Sequence, residues 1–573
     1  MTMGGAAASE AAVREAETPR LCRRIDRESF PLSLNQRDIW FQAQIHSQAG
    51  LNNHCVQVTL TGPLDRDRFR GALQAVIDRH EALRAAFIER DGAPRQRIVS
   101  GVRLRCPERD LSALEPVARA EAVRERSREL AAEPFDLREA PLLRAELLRL
   151  EPERHVLLFV FHNLVLDGLY MAQLLEEVSS VHQLAGGEAA LPSPEVQYPD
   201  FAAWQDERLR RGLMDEHAAY WRRQLEEPLP VVTLCADHDA GASRSFALAN
   251  LERPIPAGVS ARLHTLGKAY RTTPFRVVLA AFEALLHRLT GRTDLLLAIP
   301  FSTRPPQLRE LLGSFGQAAP IRVSLCPEGR FSSLLADVNR QLADGRAHVE
   351  YPLVEALRSV RAGRDLSRPL FPIYVSQERD VELTLGGARM TTGAAFVHGG
   401  VYDLMLAVCA GDPGLGLTFC YARELFEAST MEHLAGALGR VLEQVASDPE
   451  VRIGDLQVVG EAERERLFVL GDGGAGRGEG PWAEERIAER AREQPEAVAV
   501  VCGEERLRYG ELEARAQAVA GALMESGVGL EDRVGVLGRR GVGMLGAVVG
   551  VMTAGAAFVP LDPLDPPERL RAV

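Results

Sequence analysis

The run HVLLFVFH (155–162) carries no charged residue, and no polar one between its terminal histidines. A strand of that composition is buried on both faces, so it needs layers of structure above and below its sheet. The positions that follow it supply one such layer, because Met171, Leu174, Leu175 and Val178 recur at the i, i+3, i+4, i+7 spacing of an amphipathic helix. The same alternation runs from residue 25 to 455. VQVTLTG (56–62), TDLLLAIPFS (293–302), IRVSLC (321–326), FPIYVSQ (371–377), DLMLAVC (403–409) and GLGLTFCYA (414–422) read as strands. Residues 69–84, 274–291 and 430–446 read as helices. The pattern predicts a layered α/β fold in two lobes, 25–225 and 226–455, divided at the Pro-containing segment 226–243.

Length and composition accommodate that plan. The 573 residues correspond to roughly four domains of about 150 residues, or to fewer, larger two-layer units. With 46% hydrophobic and 26% charged residues, disorder and coiled coil are excluded as the main architecture. Sixty-seven basic residues against eighty acidic ones give a net charge of −13, which argues against binding to nucleic acid or an anionic membrane. The eight cysteines contain no Cys-x-x-Cys pair and no histidine at ligand spacing, so neither a disulfide framework nor a metal site is expected.

The first 24 residues lack the apolar core of a signal peptide and are expected to form a disordered lead. The uncharged stretch 541–561 is long enough to span a bilayer, but its glycines and terminal VPLDP fit a buried helix followed by a strand and turn. GDGGAGRGEG (471–480) marks a linker over 456–481; no strand precedes it and no Lys-Ser/Thr follows, so a phosphate loop is not expected. Residues 482–573 begin a further α/β unit.

Chemistry concentrates where the 155–162 strand gives way to the next helix. His162, Asn163, Asp167 and Gly168 cluster at the carboxyl end of a strand, where α/β proteins place their sites. A histidine on an apolar strand is also common as a satisfied core residue, and Asp167 also reads as the N-cap of the following helix.

This segment resembles the His-His-x-x-x-Asp-Gly hallmark of the condensation domains of nonribosomal peptide synthetases, relatives of chloramphenicol acetyltransferase. Here it reads His162-Asn163-Leu164-Val165-Leu166-Asp167-Gly168, with Asn163 in place of the second, catalytic histidine. Further blocks fall in the family's order. PLSLNQRDIW (31–40) keeps Ser33, Gln36 and Trp40 but has Asp38 where Arg is usual. RHEALRAAF (79–87), YPDFAAWQ (198–205), AIPFSTR (298–304), HVEYPLVEAL (348–357) and RDLSRPLF (364–371) also match. LLGSFGQAAPIRV (311–323) is similar to the Ile-Gly-x-Phe-Val-Asn segment, with Gly316 and Gln317 replacing Val-Asn. LRYGEL (507–512) and MTAGAAFVPLDP (552–563) resemble the first motifs of an adenylation domain, whose phosphate-gripping loop and catalytic Lys do not occur in this sequence. The terminal piece is therefore not expected to activate an amino acid.

The resemblance implies two chloramphenicol-acetyltransferase-like lobes in a V-shaped pseudo-dimer, followed by a partial adenylation-domain unit at 482–573. A tunnel between the lobes would bring together a donor acyl thioester and an acceptor aminoacyl thioester, each on the phosphopantetheine of a carrier protein, for amide formation. No cofactor would bind the chain directly. It implies catalysis at Asn163 with His162 beside it, a structural ion pair between Asp167 and Arg304 with a depressed Asp167 pKa, and a pantetheine path past Gly168 and Tyr170. The implied partners are peptidyl carrier proteins, the upstream donor acting in trans, and downstream adenylation and carrier domains. The chain would act as a cytoplasmic monomer without membrane or nucleic acid. Because an amide cannot serve as a general base, a catalytically degenerate scaffold docking carrier proteins or a trans-acting partner is the second expectation.

Overall fold

The computed structural model describes residues 19–24, 28–45, 50, 52–184, 191–230, 232, 234–239, 247–351, 356, 371–379, 381–392, 396–397, 402–410, 414–472, 481–563 and 570. The chain divides into two units between Glu461 and Ala462.

In the first unit, β1 (Asn53–Thr61), β2 (Glu108–Asp110), β3 (Leu143–Glu151) and β4 (Arg154–His162) share one sheet, with β4 between β1 and β3. That central place accounts for the composition of β4, in which every residue after Arg154 is buried. Successive side chains point to opposite faces. Leu157, Phe159 and Phe161 accordingly enter one apolar core, and Val156, Leu158 and Val160 another.

The helices are arranged to cover those two faces. Helices α1 (Leu34–Ile45) and α2 (Arg66–Arg79) join the first core through Ile39, Phe69, Leu73 and Val76, whereas α3 (Pro116–Ala132) covers the second through Val123, Leu130 and Ala131. Helix α4 (Met171–Gln183) returns to the first core and buries Met171, Leu174, Leu175 and Val178, the face that the spacing assigns. Helix α5 (Tyr198–Arg210) adds Tyr198, Phe201 and Trp204.

The second half supplies β5 (Leu248–Pro254), β6 (Asp294–Ser302), β7 (Gly316–Ser324) and β8 (Ile373–Arg379) to a second sheet. The chain then leaves that sheet. β9 (Glu382–Leu385), β10 (Ala388–Thr392) and β11 (Phe396–Val397) join the first one, where β10 and β11 both pair antiparallel with β1. β12 (Leu404–Ala410) and β13 (Leu415–Ala422) return to complete the order β7-β6-β8-β12-β13-β5. Helices α6 (Pro274–Thr290) and α7 (Ala428–Ser447) pack on this second sheet.

The crossover qualifies the expected division at 225/226. Strands 382–397 belong to the first sheet, and Leu308, Leu311, Leu312 and Phe315 fill the first core. Strand periodicity identifies a strand but carries no information about which sheet it joins.

Two other expectations change. The lead over 1–24 is not free at its end: Arg23 pairs with Glu81 and with Asp200 at 3.0 Å, Arg24 bonds Glu207 at 3.0 Å, and Trp204 Nε1 donates to the Pro19 carbonyl at 2.7 Å. Residues 1–18 lie outside the described residues, as do 231, 233 and 240–243 of the dividing segment. The same holds for 352–355 and 357 of the HVEYPLVEAL block and for 364–370 of the RDLSRPLF block. The expected linker over 456–481 contains a helix at Glu461–Gly471, while 473–480 lie outside the described residues.

The second unit has a hairpin, Val498–Cys502 with Glu505–Arg508, and a parallel pair, Arg533–Leu537 with Ala557–Leu561, connected through the helix Val542–Thr553. The uncharged stretch is thus helix and strand, and no described helix is long and apolar enough to cross a membrane.

Packing is close where Gly313 meets the Tyr198 ring. A Cβ at Gly313 would stand 2.1 Å from the Tyr198 ring, whereas one at Gly439, inside α7, would meet nothing within 4 Å. We predict that Gly313→Ala costs about 1–3 kcal/mol as an overpacked site. Gly439→Ala should gain up to about 1 kcal/mol from helix propensity. Urea unfolding followed by circular dichroism checks both signs.

Candidate active site

The segment after β4 is held by side chains distant in sequence. The Asn163 amide donates to the Asn52 carbonyl at 2.8 Å. Gln36 Nε2 donates to the Leu164 carbonyl at 2.7 Å, while Gln36 Oε1 accepts from the Ser33 amide at 3.0 Å. The opening block thus supports the backbone of the hallmark loop.

Asp167 closes the loop. Its Oδ1 accepts from the Leu169 amide at 2.9 Å, and its Oδ2 accepts from the Phe315 and Gly316 amides at 2.7 and 2.8 Å. Asp167 caps the short 3-10 turn Gly168–Tyr170 and not α4 itself, whose N-cap is Tyr170, and the same carboxylate fastens the loop to the start of β7. A Cβ at Gly316 would lie 3.2 Å from Asp167 Cγ, so glycine at this position, a departure from the family pattern, lets the two segments meet closely.

The expected ion pair is not formed. No nitrogen of Arg304 comes within 4.0 Å of the Asp167 carboxylate; instead Arg304 Nη1 donates to Gln173 Oε1 at 2.6 Å and to the Leu311 carbonyl at 3.0 Å. Backbone amides have taken the place of the guanidinium. Nor is the Asp167 pKa depressed: burial pushes it up to about 7, against the pull of the three N–H groups and, more weakly, of the Arg304 charge.

Arg304 also lies over the Tyr170 ring, 4.0 Å from its centroid, and the Tyr170 hydroxyl bonds Ser302 Oγ. Tyr170, Leu169, Gln173 and Arg304 border a cleft of about 580 Å³. Gly168 is exposed, and a Cβ there would meet nothing within 4 Å, so no protein atom demands a glycine at that position.

The first two hallmark residues diverge as strand alternation predicts. His162 is 5% exposed, and its Nδ1 accepts from the Leu164 amide at 3.2 Å. Burial, reinforced by His54 and Arg144, lowers its pKa to about 3, so the ring is neutral. It lines a cavity of about 400 Å³ that Asn163 does not reach. The Asn163 side chain is half-buried, and its Oδ1 is enclosed without a hydrogen-bond donor among the described residues. An amide donates and accepts hydrogen bonds, but it cannot take up a proton.

The structure therefore brings Tyr170 and Arg304 together at one cleft, with Asp167 fastened to the segment beside it, whereas Asn163 borders neither that cleft nor the cavity that His162 lines. Sequence reasoning missed three groups there. The Phe315 and Gly316 amides are backbone donors, which residue type does not reveal, and Gln173 is an ordinary polar position on a helix. Buried His80 likewise gives no signal of its own inside its block; its Nε2 contacts Glu177 at 2.7 Å and its Nδ1 accepts from the Leu312 amide at 3.4 Å.

Comparison with known proteins assigns this architecture. The condensation-domain family model matches residues 26–468, and the AMP-binding enzyme model matches 487–573. Chondramide synthase cmdD of Chondromyces crocatus is 32% identical over 94% of this chain and 14% of its own length. Tyrocidine synthase 3 of Brevibacillus parabrevis is 30% identical over 95% of this chain and 8% of its length. The chain thus spans only 8–14% of the length of these relatives.

Among solved structures, a four-domain nonribosomal peptide synthetase bound to AMP and glycine superposes with a TM-score of 0.72 at 24% identity, over 96% of this chain and 43% of that one. The X-domain from teicoplanin biosynthesis gives 0.67 at 26% identity, over 77% of this chain and all of that one. The chain belongs to the condensation-domain family of nonribosomal peptide synthetases and continues into the start of an AMP-binding domain.

Removing the Asp167 carboxylate would strand three N–H groups, at about 1–3 kcal/mol each if they stay dry. Asp167→Ala should therefore lower the unfolding free energy by at least about 3 kcal/mol in urea titrations. The raised pKa fixes the sign with pH. Between 3.8 and about 7 the folded chain holds a proton that the unfolded chain has released, so this contribution is full below 3.8 and lost as pH rises through about 7. Asp167→Asn should flatten that part of the stability profile, and an unchanged slope would show that Asp167 is ionised throughout.

Proposed function

We propose that residues 25–455 join a carrier-bound or starter acyl thioester to a carrier-bound aminoacyl amine. The acceptor nitrogen attacks the thioester carbon, the C–N bond forms, the C–S bond breaks, and the sulfur leaves as the donor pantetheine thiol. The proton shed by the nitrogen passes to that sulfur or to water. The observation that carries this reading is the condensation-domain match over residues 26–468, within which the Asn163 amide stands just past the end of the central strand, at the position of the family's second hallmark histidine. From there it orients an attacking N–H or, through Nδ2, stabilises the developing oxyanion.

Family membership supports the acyl-transfer chemistry, and proximity of two tethered thioesters can supply about 7–11 kcal/mol without a base. The reading includes the partners: carrier proteins bearing phosphopantetheine, a donor arriving in trans, and downstream adenylation and carrier domains, with the chain a cytoplasmic monomer. Gly168 and Tyr170 border the proposed pantetheine path, and Asp167 and Arg304 hold its walls.

The amide at 163 also favours a second reading. Lacking a group at this position that takes up a proton, the chain is a docking scaffold for carrier proteins or a trans-acting partner. The X-domain at 26% identity, which another solved structure captures in a complex with OxyB, is consistent with that alternative.

Loading both carrier proteins and following condensed product by intact-protein mass spectrometry distinguishes the two. We predict product from the native chain, a loss of about 10²–10³-fold in Asn163→Ala, and a gain of up to about 10²–10⁴-fold in Asn163→His if a base is then recruited. Product from Asn163→His alone would establish the scaffold reading instead.

A further inference from the structure

The proton released on amide formation finds no acceptor at position 163, and the titratable groups of the hallmark are already committed. His162 faces the other side of the sheet, with its Nδ1 accepting from the Leu164 amide. Both Asp167 oxygens accept from backbone amides. Another imidazole stands one strand away.

β1 runs antiparallel beside β4 and pairs Asn53 with His162 and His54 with Phe161. The Asn163 amide donates to the Asn52 carbonyl at 2.8 Å, so the pairing carries on past the last residue of β4. Side chains alternate between the two faces. His54 therefore shares a face with Phe161 and, two positions further on, with Asn163, which lies diagonally across the strand pair. Such diagonal neighbours are about 7–8 Å apart, within reach of an aromatic side chain.

The His54 ring is held in place, yet its nitrogens are unused. It lies flat on the Phe161 ring, with centroids 5.3 Å apart and planes 8° from parallel. The side chain is half-buried, and neither ring nitrogen is hydrogen-bonded to protein or sealed from solvent among the described residues. His155 and His182 differ in this respect, because their nitrogens are enclosed without partners. Burial alone lowers the His54 pKa to about 4, so the ring is neutral near pH 7 and keeps a free lone pair. The same burial makes the protonated ring a strong acid that readily passes its proton on.

We infer that His54 carries the proton of the acyl transfer proposed above, a reading on which this assignment rests. As the acceptor nitrogen attacks the thioester carbon, its proton passes to the lone pair of His54, directly or through one water. The negative charge growing on the thioester oxygen offsets the cost of charging the ring at that moment. When the C–S bond breaks, His54 gives the proton to the leaving sulfur. The ring takes up one proton and releases one, so it ends neutral and no co-reactant is consumed.

The test is condensation by the whole chain, followed by intact-protein mass spectrometry. Donor carriers bear acetyl, octanoyl or alanyl groups, and acceptor carriers bear each of the common amino acids. His54→Phe keeps the stack on Phe161, and His54→Gln keeps a polar group. Each should slow amide formation by about 10²-fold with the circular dichroism spectrum unchanged. A base supplied at 163 makes His54 redundant, so adding His54→Gln to Asn163→His should cost about tenfold less than it costs the native chain. A structural role for His54 would instead give equal losses in the two backgrounds. Equal losses, or native rates in a folded His54 variant, would overturn the assignment and leave the proposed function standing. Absence of product from the native chain would overturn both.

Discussion

A single carboxylate in a dry position organises the centre of this molecule. Asp167 accepts one backbone N–H from its own loop and two from the segment entering β7, some 150 residues later in the chain. Each bond is short, and none of the donors is a side chain able to swing away. The loop after β4 is therefore set by main-chain geometry on both sides, which is a stiffer constraint than a contact between two long side chains.

That constraint explains the glycines and aromatic rings around it. Gly316 cannot carry a Cβ without crowding Asp167, and Gly313 has no room for one against Tyr198. The Tyr198 hydroxyl in turn donates to the Ser314 carbonyl at 2.6 Å and meets Ser33 Oγ at 2.8 Å, while its ring meets Phe315 edge-on at 4.8 Å. Arg304 completes the junction by linking Gln173 on α4 to the Leu311 carbonyl. Residues from the opening block, the hallmark, the α5 block and the segment before β7 are one hydrogen-bonded assembly. Their spacing along the chain is the projection of that assembly onto one dimension.

This is also why the sequence is informative about some things and silent about others. β4 announces itself because a centrally placed strand must be apolar on both faces, and α4 because only one of its faces meets the core. The exchange of residues 382–397 into the first sheet leaves no such trace, since a strand looks the same whichever sheet it completes. The hallmark Asp167 is recognisable, but its partners are not. An ion pair with Arg304 is what the family resemblance implies, whereas amide donors from Phe315 and Gly316 are invisible to any reading of side chains. Gly316 departs from the family pattern, and a Cβ there would press to 3.2 Å on Asp167 Cγ.

Asn163 stands in a frame of this kind, and the frame limits what its amide can cost. General acid–base catalysis is worth about 10²–10⁴-fold, or about 3–5 kcal/mol at 1.36 kcal/mol per tenfold step. Alignment of two tethered reactants is worth about 7–11 kcal/mol when their geometry is fixed. The second quantity depends on the rigidity of the loop, which Asp167, Gln36 and the Asn52 carbonyl maintain without any help from a histidine at 163. A chain that kept the frame and lost the base would retain the larger of the two contributions.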